Sequence, residues 1–297
     1  MAALSPLRGL VAGSTTSAKA VNQDAFCIVR NEEVPLSAVI IADGLGSHFG
    51  AEIASSIAAT TIGAGLDEMT TATQLNIHAL FCEASQAIAQ YTTMHANSLP
   101  LDLEWQNAFG TTAILAVETK HELLLAYIGN GAIFHIRGNF NTFPTTQLFP
   151  WTAVNYLNPH ALPRGGKNAL YQVLSPYNPP APVTPTVLTL SKDEEVLGDI
   201  ILICSDGIYS FDQVPMGRDS DQKVWISAEP SLTLFLEALD GFFAQTPSQE
   251  CLNRGVEEYL TKLKAANLVC DDCTVGVLIT EKALEYQRQL KAKTEGG

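Results

Sequence analysis

Two almost wholly apolar stretches, each ending in an Asp-Gly pair, constrain the fold most. Val39–Ala42 runs directly into Asp43, and Ile200–Cys204 reaches Asp206 one residue later. Apolar runs of this kind are typical of strands buried on both faces, so each predicts a core strand with a carboxylate at its end. A buried carboxylate is costly unless it is paired or binds a cation. An ordinary Asp-Gly turn is the better explanation of either pair alone. Two such pairs, each after a core strand, support an ordinary turn and a functional site about equally.

The composition narrows the classes of partner. The chain has 297 residues, with 46% hydrophobic and 16% charged residues, which is typical of a folded protein rather than a disordered one. Its 17 basic and 31 acidic residues give a net charge of −14. This acidity argues against binding to nucleic acid and to anionic membrane surfaces, because both require a basic surface. No linker divides the sequence, so we expect residues 1–297 to form a single catalytic domain.

The pattern of elements favours an α+β fold. Strands are frequent, and regular alternation of strand and helix is absent, so we expect antiparallel sheets with helices packed outside them. Gly129-Asn130-Gly131 predicts a hairpin turn between two strands. The predicted strands are 24–29, 38–42, 111–117, 123–128, 132–136, 183–190, 199–204 and 273–280. The predicted helices lie around 53–58 and at 73–91, 231–244, 248–266 and 281–293.

Residues 138–191 differ from the rest of the chain. Arg164 and Lys167 are their only charged residues, and they hold nine of the fifteen prolines. The stretch is too rich in Asn, Thr, Gln and Pro to predict a membrane-spanning helix. It is either an irregular insertion packed over the core or a flap-like surface that docks a substrate or partner.

Further acidic residues stand at strand ends. Asp24 begins a predicted strand, and Asp271 lies just before another. If these two converge with Asp43 and Asp206, the site has only oxygen ligands, which favour Mg²⁺ or Mn²⁺. Two such ions activate a water and stabilise an in-line displacement, which predicts hydrolysis of a phosphoryl ester. Asp43 is the natural bridging ligand, with the Gly44 carbonyl as an added one.

Five motifs in order resemble the metal-dependent serine/threonine protein phosphatases of the type 2C family, in the form of a bacterial-like, stand-alone catalytic domain. Each motif alone is weak, but their shared order along most of the chain is specific. The motifs are Val21–Phe26, Ile41–Gly50, Gly110–Ala113, Cys204–Gly207 and Asp271–Thr274.

This resemblance implies an α-β-β-α sandwich with a centre of two Mn²⁺ or Mg²⁺ ions at one edge. Asp43, Gly44, Asp206 and Asp271 would bind the ions, and Asp24 would support them directly or through water. Asp43 and Asp206 would be the catalytic carboxylates. A metal-bridging hydroxide would attack phosphoserine or phosphothreonine without a covalent enzyme intermediate.

The sequence departs from the family pattern at several positions. Lys19 stands where the family has a phosphate-binding arginine, so it keeps the charge but loses the bidentate geometry. Asn130 replaces an aspartate that helps to hold a third ion, which argues against that ion. Asp272 replaces an asparagine, adds negative charge, and could tighten metal binding or be an extra ligand. Leu45 occupies the place of a histidine proposed as general acid in some members, so that role is vacant there. His48 nearby could take it, but we favour a structural role for His48 as the cap of the next helix.

These departures leave two other functions open. The chain could be a degenerate phosphatase-like module that binds a phosphoprotein or regulatory partner without efficient turnover, or a hydrolase of small phosphate esters. For the phosphatase we expect proteins bearing phosphoserine or phosphothreonine as partners, with no nucleic acid and no membrane, and a monomer. The first 14 residues have no signal-peptide pattern and the six cysteines are scattered, so we expect reduced thiols and a cytoplasmic location.

Overall fold

Two five-stranded antiparallel sheets stack in the computed structural model of the chain. One sheet, sheet I, has the strand order β1-β14-β11-β6-β7, and the other, sheet II, has the order β10-β5-β4-β3-β2. The strands are β1 (Leu10–Thr16), β2 (Asp24–Asn31), β3 (Leu36–Asp43), β4 (Ala113–Glu118), β5 (Glu122–Ile128), β6 (Ala132–Gly138), β7 (Trp151–Asn155), β8 (Ala161–Arg164), β9 (Lys167–Leu170), β10 (Thr186–Ser191), β11 (Ile200–Cys204), β12 (Met216–Arg218), β13 (Val224–Ile226) and β14 (Cys273–Ile279). The structure describes residues 9–71, 75–100, 108–138, 151–164, 167–176, 183–192, 198–208, 216–218, 224–226, 230–269 and 271–295.

Helices cover the outer faces of both sheets. The helices are α1 (Ala51–Asp67), α2 (Ile77–Met94), α3 (Pro230–Ala244), α4 (Gln249–Ala265) and α5 (Glu281–Glu295), with a short 3-10 helix at Ala96–Ser98. Apolar residues of α1 and α2 pack on sheet II, and those of α3, α4 and α5 pack on sheet I. The predicted α-β-β-α architecture is therefore confirmed.

The core explains why the central strands are apolar throughout. Every residue of β4, β11 and β14 is buried, because one face of each strand meets the opposite sheet and the other face meets helices. Between the sheets, Val39 and Ile41 of β3 pack with Ile203 of β11 and Leu278 of β14. The two apolar runs that lead to Asp43 and Asp206 are thus core strands of different sheets.

The predicted hairpin at residues 129–131 is wrong. Strand β5 pairs with β4 and β10, whereas β6 pairs with β11 and β7, so the turn carries the chain from sheet II to sheet I. Gly129 and Gly131 have φ of 98° and 126°, which glycine adopts without steric cost. These glycines fit a crossing between sheets as well as they fit a hairpin, and local sequence does not separate the two.

The described parts of residues 138–191 join both sheets. Strand β7 is an edge strand of sheet I, and β10 is an edge strand of sheet II. Between them β8 and β9 form a separate two-stranded hairpin. Residues 139–150, 165–166 and 177–182 lie outside the described residues, and the interpretation of the segment as a docking surface stays a prediction.

Over the residues that are described, no helix is long and apolar enough to cross a membrane. The five cysteines in this part of the chain are free thiols, as predicted, and Cys270 lies outside it.

Candidate active site

The strand register brings the predicted carboxylates to one edge of the sandwich. Asp24 is the first residue of β2 and Asp43 the last of β3, and the two are direct partners in the antiparallel pair. Asp206 follows the end of β11, and Asp271 precedes the start of β14, its antiparallel neighbour. Because antiparallel neighbours place the end of one strand beside the start of the next, each sheet contributes two aspartates to the same edge.

Three of these carboxylates are in close contact. The carboxyl of Asp43 lies within hydrogen-bonding reach of the carboxyls of Asp24 and Asp206. Burial, followed by the charges of these two neighbours, raises the pKa of Asp43 well above 3.8. Burial also raises the pKa of Asp24 to about 6, and it raises the pKa of Asp206. Buried like charges of this kind are stabilised by a bound cation.

The two oxygens of Asp24 have different surroundings. Oδ2 accepts a hydrogen bond from Ser205 Oγ over 2.8 Å. Oδ1 is buried and has no hydrogen bond of normal geometry to the described residues, although the Thr274 hydroxyl and the Asp43 carboxyl lie near the Asp24 side chain. A buried carboxylate oxygen without a donor, in a cluster of oxygen ligands, fits a hard divalent cation.

Asp271 is placed differently from the other three aspartates. Its side chain is 48% exposed and forms an ion pair with Lys19. In the part of the chain that the structure describes, no group of three or more His, Cys, Asp or Glu side chains has the arrangement of a formed metal site. The four predicted aspartate ligands therefore share one edge of the sandwich. The site is a candidate because these aspartates converge and contact one another, and not because a completed ligand shell is formed.

Asn130 contacts the same cluster from the turn between β5 and β6. Its Nδ2 donates to Asp206 Oδ2 over 2.6 Å. The neutral amide of Asn130 argues against a third ion. The same amide holds one oxygen of Asp206, which is a predicted ligand of the two main ions. The prediction that a third ion is absent stays a prediction.

Asp272 contacts the loop between β1 and β2 and does not line the cleft. Its side chain is 3% exposed, and Oδ2 accepts from the backbone N–H of Gln23 over 3.0 Å. Oδ1 accepts from Ser17 Oγ, and Lys19 Nζ lies 3.4 Å from Oδ2. These contacts make Asp272 a support of the loop between β1 and β2. This role differs from that of an extra metal ligand, which the sequence left open.

The glycines after Asp43 and Asp206 are required by close backbone approaches. A Cβ on Gly44 would lie 2.7 Å from the Gln23 carbonyl oxygen, and one on Gly207 would overlap the carbonyl oxygen of Asp272. The first approach keeps the ends of β2 and β3 of sheet II together, and the second keeps the ends of β11 and β14 of sheet I together. The Asp-Gly pairs are therefore packing requirements of the candidate site as well as turn signals.

The prediction that His48 caps the next helix is wrong. The N-cap of α1 is Gly50, with φ of 68°, and no described side chain caps this end of the helix. His48 instead lines the cleft beside the aspartates, and its Nδ1 packs against Gly110. Burial lowers the pKa of His48, so a neutral imidazole is favoured.

An open cleft of ≈ 390 Å³ lies over the carboxylates. Its floor is acidic and its walls are formed by a loop, a lysine and the β8–β9 hairpin. The lining residues are Lys19, Asp43, Gly44, Leu45, Gly46, Ser47, His48, Asn130, Leu170, Asp206 and Asp271. Sequence reasoning missed Leu170, which has no local signal, and gave no role to Ser205, although it directly precedes Asp206.

Comparison with known proteins places the chain in a family. The sequence model of protein phosphatase 2C matches residues 13–161, which is half of the chain. The chain belongs to the protein phosphatase 2C family. The matched half contains Lys19, Asp24, Asp43 and Asn130, and the structure adds Asp206 from the other half. A search of curated proteins gave no match to the sequence.

Solved structures of bacterial phosphatases share the fold. The serine/threonine phosphatase of S. agalactiae has a TM-score of 0.59 at 17% identity, covering 92% of this chain and 100% of its own. The serine/threonine phosphatase Stp1 from Staphylococcus aureus has a TM-score of 0.58 at 14% identity, covering 93% and 95%. The catalytic domain of the phosphatase PstP, solved with two manganese ions, has a TM-score of 0.57 at 19% identity, covering 93% and 99%.

Proposed function

We propose that this protein phosphatase 2C member is a Mn²⁺- or Mg²⁺-dependent enzyme that hydrolyses phosphoserine and phosphothreonine in proteins. The observation that carries the proposal is the contact of Asp43 with Asp24 and Asp206 in a desolvated cluster, with Asp24 Oδ1 buried and without a donor among the described residues. This arrangement is unfavourable for the protein alone and favourable for binding two divalent ions. The two manganese ions of the PstP catalytic domain are consistent with it.

The residues divide into ligands and supports. Asp43, Gly44, Asp206 and Asp271 would hold the ions, with Asp24 beside them. Bound divalent ions would supply Lewis-acid activation of a water and charge neutralisation at the phosphoryl group. Asp43 and Asp206 reach the cleft from strand ends fixed by the core, so their oxygens are positioned before a substrate arrives, whereas Asp271 is more exposed and is paired with Lys19.

Lys19 would bind the phosphoryl group. Its ammonium lies on the wall of the cleft and is paired with Asp271 and Asp272. A lysine provides a point charge rather than a planar fork, so we expect looser binding of phosphate than an arginine would give. Asn130 would hold Asp206 through its amide, which leaves the charge of that carboxylate available for the ions.

The shape of the cleft favours a phosphorylated side chain presented by a protein. The cleft is open, with Leu45 on one wall and Leu170 of the β8–β9 hairpin on another. Leu162 in that hairpin and Tyr171 next to it are more than half exposed. We propose that this part of residues 138–191 contacts the polypeptide around the phosphorylated residue, within a single catalytic domain.

Hydrolysis of p-nitrophenyl phosphate with and without Mn²⁺ tests the activity. Metal-dependent turnover that is lost in Asp43→Asn and Asp206→Asn, but kept in the exposed helix variant Asp240→Asn, supports an enzyme at this cleft. Phosphopeptide binding without turnover in the wild type would instead favour the degenerate binding module.

A second comparison tests the substrate class. Phosphoserine and phosphothreonine peptides should be hydrolysed with a higher kcat/KM than small phosphate esters, and Tyr171→Ala should lower only the peptide value. Equal kcat/KM for peptides and small esters would favour the hydrolase of small phosphate esters.

A further inference from the structure

The hydroxyl of Ser205 joins three strands at the edge that carries the aspartates. It donates to Asp24 Oδ2 over 2.8 Å and accepts from the backbone N–H of Thr274 over 3.0 Å. The backbone N–H of Ser205 in turn donates to the Thr274 carbonyl over 3.0 Å. Asp24 begins a strand of sheet II, while Ser205 and Thr274 belong to the ends of neighbouring strands of sheet I. One side chain therefore connects the two sheets at the candidate metal centre.

These contacts are shielded from solvent. Ser205 is 2% exposed, Thr274 is fully buried, and Asp24 is buried as well. Water does not replace a hydrogen bond in such surroundings, and a bond to an ionised carboxylate is stronger than one between neutral groups. Loss of the hydroxyl would leave both the Thr274 N–H and Asp24 Oδ2 without this partner.

A chain of hydrogen bonds extends the support around Asp24. Thr15 Oγ1 lies 2.6 Å from Thr274 Oγ1 and accepts from Asn22 Nδ2 over 2.8 Å. Asn22 Oδ1 accepts from the backbone N–H of Asp24 over 3.0 Å. The backbone of Asp24 is thus fixed by Asn22, and its carboxylate by Ser205.

The bond to Oδ2 determines where the other oxygen points. With Oδ2 held by Ser205, Oδ1 is the oxygen left without a donor among the described residues, and Asp43 is the neighbouring carboxyl. We infer that Ser205 is a positioning residue that fixes the Asp24 carboxylate so that Oδ1 is presented to a divalent cation shared with Asp43. The inference deepens the proposed function, on which it depends for the cation.

Isothermal titration with Mn²⁺ tests this role without any measurement of turnover. Ser205→Ala should weaken Mn²⁺ binding by about tenfold, the lower end of the effect of removing groups that orient metal ligands. Ser205→Cys should weaken it similarly, since it keeps the volume but makes only weak hydrogen bonds. Ser55→Ala is the matched control, because it also removes a buried hydroxyl, one that donates to the Glu52 carbonyl within α1.

A double-mutant cycle separates positioning from general destabilisation. Asp24→Asn should also weaken Mn²⁺ binding, and adding Ser205→Ala to it should change the Kd by less than about twofold, because Ser205 acts through Asp24. A Kd for Ser205→Ala within about twofold of the wild type, or full additivity with Asp24→Asn, would overturn the inference while leaving the proposed function intact. A wild type that binds no Mn²⁺ would instead overturn the proposed function and this inference with it.

Discussion

Replacing Asp24 by Asn should stabilise the protein in the absence of divalent ions. Burial raises the pKa of Asp24 from 3.8 to about 6, so its ionised form is disfavoured in the folded state. Each pKa unit corresponds to about 1.36 kcal/mol, and a rise of roughly two units costs ~3 kcal/mol at neutral pH. Asn is neutral, has the same shape and can still accept from Ser205. The free energy of unfolding should therefore rise by up to ~3 kcal/mol, with a further contribution from reduced repulsion of Asp43.

The stability difference between the Asp24→Asn variant and the wild type should depend on pH. Because the folded-state pKa is raised, the folded protein binds more protons than the unfolded chain between about pH 4 and pH 6, and wild-type stability falls as the pH rises through this range. The amide that replaces the carboxyl in the Asp24→Asn variant does not titrate. The difference between variant and wild type should be largest above about pH 6 and should fall to roughly half near pH 5.

Urea denaturation followed by circular dichroism, in EDTA near pH 7.5 and near pH 5, measures both effects. Asp240→Asn on the exposed face of α3 controls for the change in net charge and should shift stability by less than about 0.5 kcal/mol. With saturating Mn²⁺ the order should reverse, because the wild type gains binding free energy that the variant largely loses. A variant that is less stable than the wild type in EDTA at the higher pH, or a difference that does not shrink toward pH 5, would refute this account of the cluster.

Three further substitutions test other parts of the structure. Lys19→Arg should raise kcat/KM for a phosphopeptide by about twofold to tenfold, since a bidentate pair adds on the order of 1 kcal/mol; no change or a fall in steady-state kinetics would contradict this. Lys192→Met should lower the free energy of unfolding by about 3–5 kcal/mol in urea, because Lys192 Nζ lies 2.6 Å from Oε1 of the fully buried Glu118; adding Glu118→Gln should restore much of it. Gly207→Ala should cost about 1–3 kcal/mol in the same assay, because its Cβ would overlap the Asp272 carbonyl oxygen; wild-type stability would show that the backbone relaxes freely.

The sequence predicted the buried strands that position the candidate site because strand ends carry strong local signals. Apolar runs that stop at Asp43 and Asp206 identified two buried strands, and the antiparallel register then placed Asp24 beside Asp43. Strand β1 was not predicted, because Leu10–Thr16 lacks the apolar run or alternation that marked the other strands.

Features that depend on tertiary contacts were missed or wrong. The turn at Gly129–Gly131 has the composition of a hairpin, and only the pairing of β5 and β6 with different sheets shows that it crosses between them. Helix α1 begins after Gly50, two residues beyond His48, so His48 does not occupy the capping position. The contacts of Asp272 with Ser17 and Gln23 span about 250 residues of sequence, so no local pattern could reveal them.

Anomalous diffraction at the manganese edge, from crystals grown with Mn²⁺, locates bound ions without any measurement of turnover. We expect two anomalous peaks at the edge of the sandwich, bounded by Asp24, Asp43, Asp206 and Asp271, with Lys19 no longer paired to Asp271. Peaks elsewhere, or none at this cluster at saturating Mn²⁺, would contradict a two-metal centre formed by these four aspartates.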